Sequence, residues 1–136
     1  MPKQSPIPDD LDRPYWEAAN NDKFVMQYFP DSDTIYYPPV PKDPKTGSTN
    51  YIWKEMSGKG TIYSYSVIYD TPIASLQVDQ PYNCAVIQLD DDPSINMLSH
   101  LPGTPPDQVP IGAKVEVMFQ VTPATGQKVP EWRIVS

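Results

Sequence analysis

The sequence predicts a mostly β protein with one short helix, and three observations carry that prediction. Eighteen of the 136 residues are proline, nine of them before position 51. Proline lacks a backbone donor and is excluded from helix interiors and central strands, so short strands and irregular connections must dominate. The second half holds five stretches of strand length, apolar or alternating, with turn residues between them. Fifteen aromatic residues, nine of them tyrosine, are too many for a disordered linker. A length of 136 residues suits one compact unit, whereas two halves of it would each be marginal.

Residues 1–9 read as an extended arm. Asp9, Asp10 and Asp12 before Pro14 signal a helix start, and Asn20-Asn21 a stop. Leu11, Tyr15, Ala18 and Ala19 fall on one face of the two turns between, a helix too short to hold without docking on something else. Residues 24–29 and 34–37 form a predicted hairpin around Pro30-Asp31-Ser32-Asp33. Residues 38–48 are a proline-rich loop, and residues 51–55 a third short strand. Three strands in about thirty residues cannot build a sufficient core, so this unit must lean on the helix, the second half or a partner.

From Gly60 the strands lengthen. Residues 61–69 alternate, with Thr61, Tyr63, Tyr65, Val67 and Tyr69 on one face. Residues 83–89 are apolar on both faces, as in a central strand, and residues 95–101 follow the Asp90-Asp91-Asp92-Pro93 turn. Val115, Val117, Phe119 and Val121 alternate with Lys114, Glu116 and Gln120, and Trp132 and Ile134 mark a fifth strand. Five such strands fit a small sandwich or a five-stranded Greek-key barrel of the OB type. The stretch 102–110 connects the third and fourth.

Charge and chemistry narrow the function. The net charge is −7, with both halves acidic, whereas sequence-independent nucleic-acid binding needs Lys and Arg to neutralise phosphates. The longest apolar runs are too short to span a membrane, and the polar N-terminus lacks the apolar region of a secretory signal, so a cytoplasmic setting is expected. Cys84 is the single cysteine and His100 the single histidine, which leaves no evident nucleophile–base pair. Cys84 reads as a small hydrophobe in a strand, and the three consecutive aspartates as a solvated turn. No phosphate-binding or nucleophile-elbow motif is present. Tyr63, Tyr65 and Tyr69 fit the core better than a base-stacking platform, given the scarcity of nearby cations.

An ordered set of short motifs resembles the zinc-ribbon/OB-fold family of acyl-CoA-associated proteins, formerly a domain of unknown function. They run from Tyr15-Trp16-Glu17-Ala18-Ala19 through Met26-Gln27, Tyr37-Pro38-Pro39, Gly47-Ser48 and Trp53 to the stretch from Ser57 to Tyr65. Pro81-Tyr82, Ile111-Gly112, Val115 and Phe119 follow. The stretch from Ser57 to Tyr65 is the most specific. The resemblance implies a short helix with its arm (1–22), a rubredoxin-like ribbon (23–57) and a five-stranded OB-fold barrel (58–136). The family's ribbon carries two C-x-x-C knuckles that hold zinc. Here the four ligand positions are Phe29, Ser32, Asp43 and Thr46, none a thiolate, so a ribbon without metal is expected. Aromatic packing by Tyr28, Phe29, Tyr36, Tyr37 and Trp53 would replace the zinc–sulfur bonds.

The resemblance further implies a noncatalytic accessory subunit of an acyl-CoA-processing complex. Its partner would be a thiolase-like acyltransferase or aldolase, or a hydratase or synthase subunit, and would supply the catalytic residues. Tyr15, Trp16, Tyr36 and Tyr37 are the expected partner-binding residues. Trp53, Lys54 and Lys59 are weaker candidates for contact with coenzyme A, and no tightly bound cofactor is expected. An OB-type module for nucleic acid or oligosaccharide is the alternative. The metal expectation is directly testable: purified chain should hold less than stoichiometric zinc, and a chelator should leave its melting curve unchanged. One zinc per chain, with destabilisation on chelation, would overturn it.

Overall fold

Asp9 and Asp12 organise the start of the helix before any tertiary contact is made. The Asp9 carboxylate accepts from the Leu11 and Asp12 amides, and the Asp12 carboxylate accepts from the Asp9 amide. The helix that follows, α1, spans Arg13–Asn20, with proline in its first turn. It stops as expected: Asp22 adopts a left-handed φ of 59°, and Asn21 donates from both its backbone and its side chain to carbonyls of the last turn. The structure, a computed structural model, describes residues 4–135. The first three residues of the expected arm therefore lie outside the described residues. Ser5, within the arm, bonds Thr122 side chain to side chain at 2.7 Å.

Two antiparallel sheets follow. The smaller contains β1 (Val25–Phe29), β2 (Thr34–Tyr36) and β3 (Ile52–Glu55), in the order β2-β1-β3. The larger contains β4 (Lys59–Ile68), β5 (Tyr82–Leu89), β6 (Asn96–Ser99), β7 (Lys114–Val121) and β8 (Lys128–Ile134), in the order β6-β5-β4-β7-β8. A short 3-10 helix, Ala74–Asp79, lies between β4 and β5. The five-stranded sheet curls into the OB-type barrel that the strand pattern allowed, which decides against a sandwich. Its ladder does not close between β6 and β8. The Trp132 amide of β8 instead donates to the Ser99 hydroxyl of β6 at 3.1 Å, which bridges the seam at one point.

One core joins both sheets and the helix. Tyr15 and Ala19 of α1, Phe24, Val25 and Met26 at β1, Met56 beyond β3 and the inner residues of the barrel form a continuous buried cluster. Trp132 is the largest of its fully buried side chains, with the Phe24 ring edge-on to it at 5.6 Å. The small sheet therefore leans on the helix and the barrel, as its size required. The same geometry explains the glycines between Ser57 and Thr61. Gly58 has a φ of +73°, and a Cβ there would meet Val117 at 2.7 Å. A Cβ on Gly60 would meet Ile87 at 2.7 Å, the Gln88 carbonyl at 3.0 Å and the Trp132 ring at 3.3 Å.

Three expectations from alternation need correction. The register of β4 against β5 shifts between Ile62 and Ser64, so a bulge at Tyr63 re-aims the rest of the strand. Tyr65 then packs against the core while Tyr63 and Tyr69 are 63% and 68% exposed. The three tyrosines do not share a face. Strand β5 is not buried on both faces: Asn83, Ala85, Ile87 and Leu89 point inward, and the residues between them are half-buried. It lies one place off centre, and β4 holds the middle. In β7, Val121 is exposed, because the strand's far end runs out of the barrel into its hairpin. Substitution of Gly60 by alanine should destabilise the fold by about 1–3 kcal/mol through overpacking, read from urea unfolding. A change within about 0.5 kcal/mol would mean that Ile87 and Trp132 yield freely.

Candidate functional site

Of the residues expected to carry function, some fall in a loop held to the small sheet and some in a cavity at the barrel seam, while Trp53, Lys54 and Lys59 fall in neither. Proline spacing leaves the segment after Tyr36 without strand partners, so side chains must fix it. Gln27, buried on β1, donates to the Val40 carbonyl and accepts from the Val40 amide, both at 2.8 Å. Asp43 does the rest. Its buried carboxylate accepts from the Tyr36 hydroxyl at 2.8 Å, the Lys45 amide at 2.9 Å and the Thr46 hydroxyl at 3.0 Å. Its backbone amide donates to the Ser48 carbonyl, and its carbonyl accepts from the Gly47 amide. Ser48 in turn donates from its hydroxyl to Asp31 in the β1–β2 turn.

Burial pushes the Asp43 carboxyl up, but the Ser32 hydroxyl beside it, the Lys45 amide and the Tyr36 and Thr46 hydroxyls outweigh that and hold it at about 2. Burial also pushes the Tyr36 phenol up, aided by its bond to Asp43. Phe29 is fully buried behind this network, 5.5 Å from the Tyr36 ring and 5.4 Å from Tyr51. Ser32 and Thr46 thus stand beside the Asp43 carboxylate, and Phe29 packs on the Tyr36 ring that bonds it. A carboxylate engaged by several donors, two hydroxyls and a phenyl ring are not a zinc donor set. Among the described residues no group of three His, Cys, Asp or Glu is arranged to hold a metal.

The second place is a cavity of about 350 Å³. Helix α1 crosses the open side of β8, where the Asn20 side chain accepts from the Lys128 amide and Gln127 donates to the Trp16 carbonyl. That placement sets Tyr15 and Trp16 over the seam, with Tyr37 alongside. Tyr15 is 8% exposed and Tyr37 42%, their rings 6.4 Å apart. Burial pushes the Tyr15 phenol well up, with a contribution from the neighbouring Tyr37, whose own phenol burial also raises. Leu76, Met97, Leu98 and Pro130 form apolar walls, and Cys84, His100 and Glu131 also line the space. The Gln120 amide nitrogen donates to Glu131.

The expected residues are therefore spread out. Tyr15, Trp16 and Tyr37 share the cavity, whereas Tyr36 belongs to the Asp43 network. Trp53 packs against the core and stands edge-on to Tyr51 at 6.3 Å. Lys54 lies over the Tyr28 ring at 5.0 Å, and Lys59 is exposed at the start of β4. Sequence reasoning did not single out Asn83 or Glu131. Asn83 accepts from the Leu101 amide and donates to the Thr104 carbonyl, and so pins the chain leaving β6. A polar residue inside an apolar run was the available signal for Asn83. For Glu131 there was none, since its burial comes from what covers the outer face of β8.

No helix among the described residues is long and apolar enough to cross a membrane. Residues 53–120 match the family model described as ChsH2, C-terminal OB-fold domain. A probable enoyl-CoA hydratase alpha subunit of Thermomonospora curvata is 31% identical over 105 residues, which cover 76% of this chain and 32% of that protein. A DUF35 domain-containing scaffold protein of Methanocaldococcus jannaschii is 32% identical over 88 residues, covering 64% and 60%. The chain thus spans about a third of the first relative and three-fifths of the second. Among solved structures, a chain of the Ltp2-ChsH2(DUF35) aldolase superposes with a TM-score of 0.82 at 26% identity, covering 96% of this chain and 98% of that one.

The Asp43 network makes a pH prediction. Its folded value of about 2 lies below the ordinary 3.8, so its contribution is complete above 3.8 and lost as pH falls towards 2. Asp43→Asn should lower Tm at pH 7 by about 5 °C or more, and the gap to the wild type should narrow on acidification over that window. A gap constant with pH would show that the carboxylate's charge contributes nothing.

Proposed function

The chain belongs to the ChsH2 C-terminal OB-fold family, and from that premise we propose that it is a noncatalytic accessory subunit of an acyl-CoA-processing complex. Its partner is a thiolase-like acyltransferase or aldolase subunit, which supplies the nucleophile and base. The observation that carries this reading is the end-to-end likeness to a chain of the Ltp2-ChsH2(DUF35) aldolase. The scaffold and hydratase-subunit names of the sequence relatives point the same way. The setting is cytoplasmic.

In this reading residues 1–22 are an arm and docking helix, 23–57 a zinc ribbon that has lost its ligands, and 58–136 the barrel. The Asp43 network and the Phe29 cluster support the second part, since both stand at the four positions where the family holds metal. A ribbon kept in shape without its ion keeps a surface. Trp16 and Tyr37, partly exposed beside each other at the seam, form the centre of the partner contact. Tyr15, stacked edge-on with Trp16, backs them, and Tyr36 contributes by holding the loop at Asp43. The chain binds no cofactor tightly, and contact with the coenzyme A of an acyl-CoA substrate falls to Trp53, Lys54 and Lys59.

Tagged chain purified from its native cells at modest salt should bring a thiolase-fold, hydratase or synthase subunit at near-equal stoichiometry. Tyr37→Ala should weaken retention of that partner by about tenfold or more while the chain still folds, and Trp16→Ala should weaken it likewise with some loss of stability, since the Trp16 ring packs against the core. Recovery of the chain alone, folded and monomeric, would overturn the proposal.

A further inference from the structure

The segment before the helix, residues 4–8, meets parts of the fold that are distant in sequence. Ser5 donates from its hydroxyl to that of Thr122 at 2.7 Å and accepts from the Thr125 amide at 3.3 Å. Thr122 is fully buried at the β7–β8 hairpin, and its own hydroxyl donates to the Gln127 carbonyl at 2.6 Å. That bond fixes the hydroxyl, so Ser5 meets an oriented acceptor. On its other flank the segment meets the 3-10 helix: Gln4, Ser5 and Ile7 share a hollow of about 440 Å³ with Ser75 and Thr125. Gln4 also lines the seam cavity, together with Leu76 and Cys84. Pro6 and Pro8 restrict the backbone between, and the Asp9 carboxylate, bonded to the Leu11 and Asp12 amides, fixes the far end. The segment is thus a stiff lever from Asp9, and Ser5 holds its free end at the cavity.

We propose that residues 4–8 are a strap across the seam cavity, latched by Ser5 on the β7–β8 hairpin, and that release of this latch controls how readily a small solute reaches Cys84. The latch is made of neutral hydroxyl groups. Loss of one such bond shifts an open–closed equilibrium by about two- to tenfold, enough to gate access and too little to unfold the chain. Cys84 is the single cysteine and lies half-buried on the cavity wall, so labelling of its thiol reports the opening with no competing site. The strap belongs to this chain and needs no partner, so its test is independent of the accessory-subunit reading.

The test is the rate at which N-ethylmaleimide labels Cys84 in the full chain, followed by mass spectrometry. Ser5→Ala should label about two- to tenfold faster than the wild type. Ser5→Thr, which keeps the hydroxyl, should label close to the wild-type rate. Each rate should stay flat across low urea, because a local opening exposes little new surface, whereas labelling through global unfolding rises steeply with denaturant. That slope separates release of the strap from a general loss of stability. Equal rates for Ser5→Ala and the wild type, equal acceleration by Ser5→Thr, or a rate that climbs steeply with urea would each overturn the proposal.

Discussion

The Phe24 ring standing edge-on to Trp132 is the contact on which both sheets depend, because neither face can be buried elsewhere. Phe24 leads into β1 of the small sheet, and Trp132 fills the barrel from β8. The small sheet has three short strands and too few residues for a core of its own. The barrel, for its part, has an open seam, and Trp132 closes it from inside while its amide reaches Ser99. Edge-to-face aromatic pairs add about 0.5–1.5 kcal/mol beyond the area they bury. The contact is also tied to the junction between sheets, since the Met56 amide, between β3 and β4, donates to the Phe24 carbonyl at 2.8 Å. Gly60 makes room for it, and Gly58 provides the left-handed turn that brings the chain there.

Once the sheets are joined, the helix has one place to go. Tyr15 and Ala19 are buried against the shared core, and Asn20 and Gln127 tie α1 to the β7–β8 hairpin. Strand β8 would otherwise present an unpaired edge, a risk for association. Asn20 takes up the Lys128 amide, Pro130 has none to offer, and Ser99 takes up that of Trp132. The edge is therefore blocked against further strand addition, and the protein offers aromatic side chains there instead. The cavity is a by-product of that solution. The helix packs on β8 and on β1 and leaves space beside the seam.

The loop after Tyr36 shows how one carboxylate can organise a segment without regular structure. Asp43 collects donors from β2, from its own turn and from the hydroxyl of Thr46, and remains ionised because those donors outweigh the cost of burial. Hydrogen bonds to a charged acceptor are stronger than neutral ones, but they are directional and few. The Phe29 cluster supplies what they lack, a non-directional apolar backing beneath them.

Local chemistry determined a good deal by itself. Proline frequency excluded long helices, aspartates placed the helix start, and alternation located the strands. The need for Gly58 and Gly60 at the junction between sheets became visible only in the structure, where a Cβ at either would meet a neighbouring strand's side chain. What the sequence left open is what depends on two distant segments meeting. The bulge at Tyr63 turned Tyr65 inward, and nothing within ten residues announces a one-residue slip in register. Glu131 became buried because a helix more than a hundred positions away lies near it. Asp43, read as a lost metal position, became a hub only when Tyr36 and Thr46 reached it. Periodicity reports the face that a residue prefers, and tertiary structure decides what covers that face.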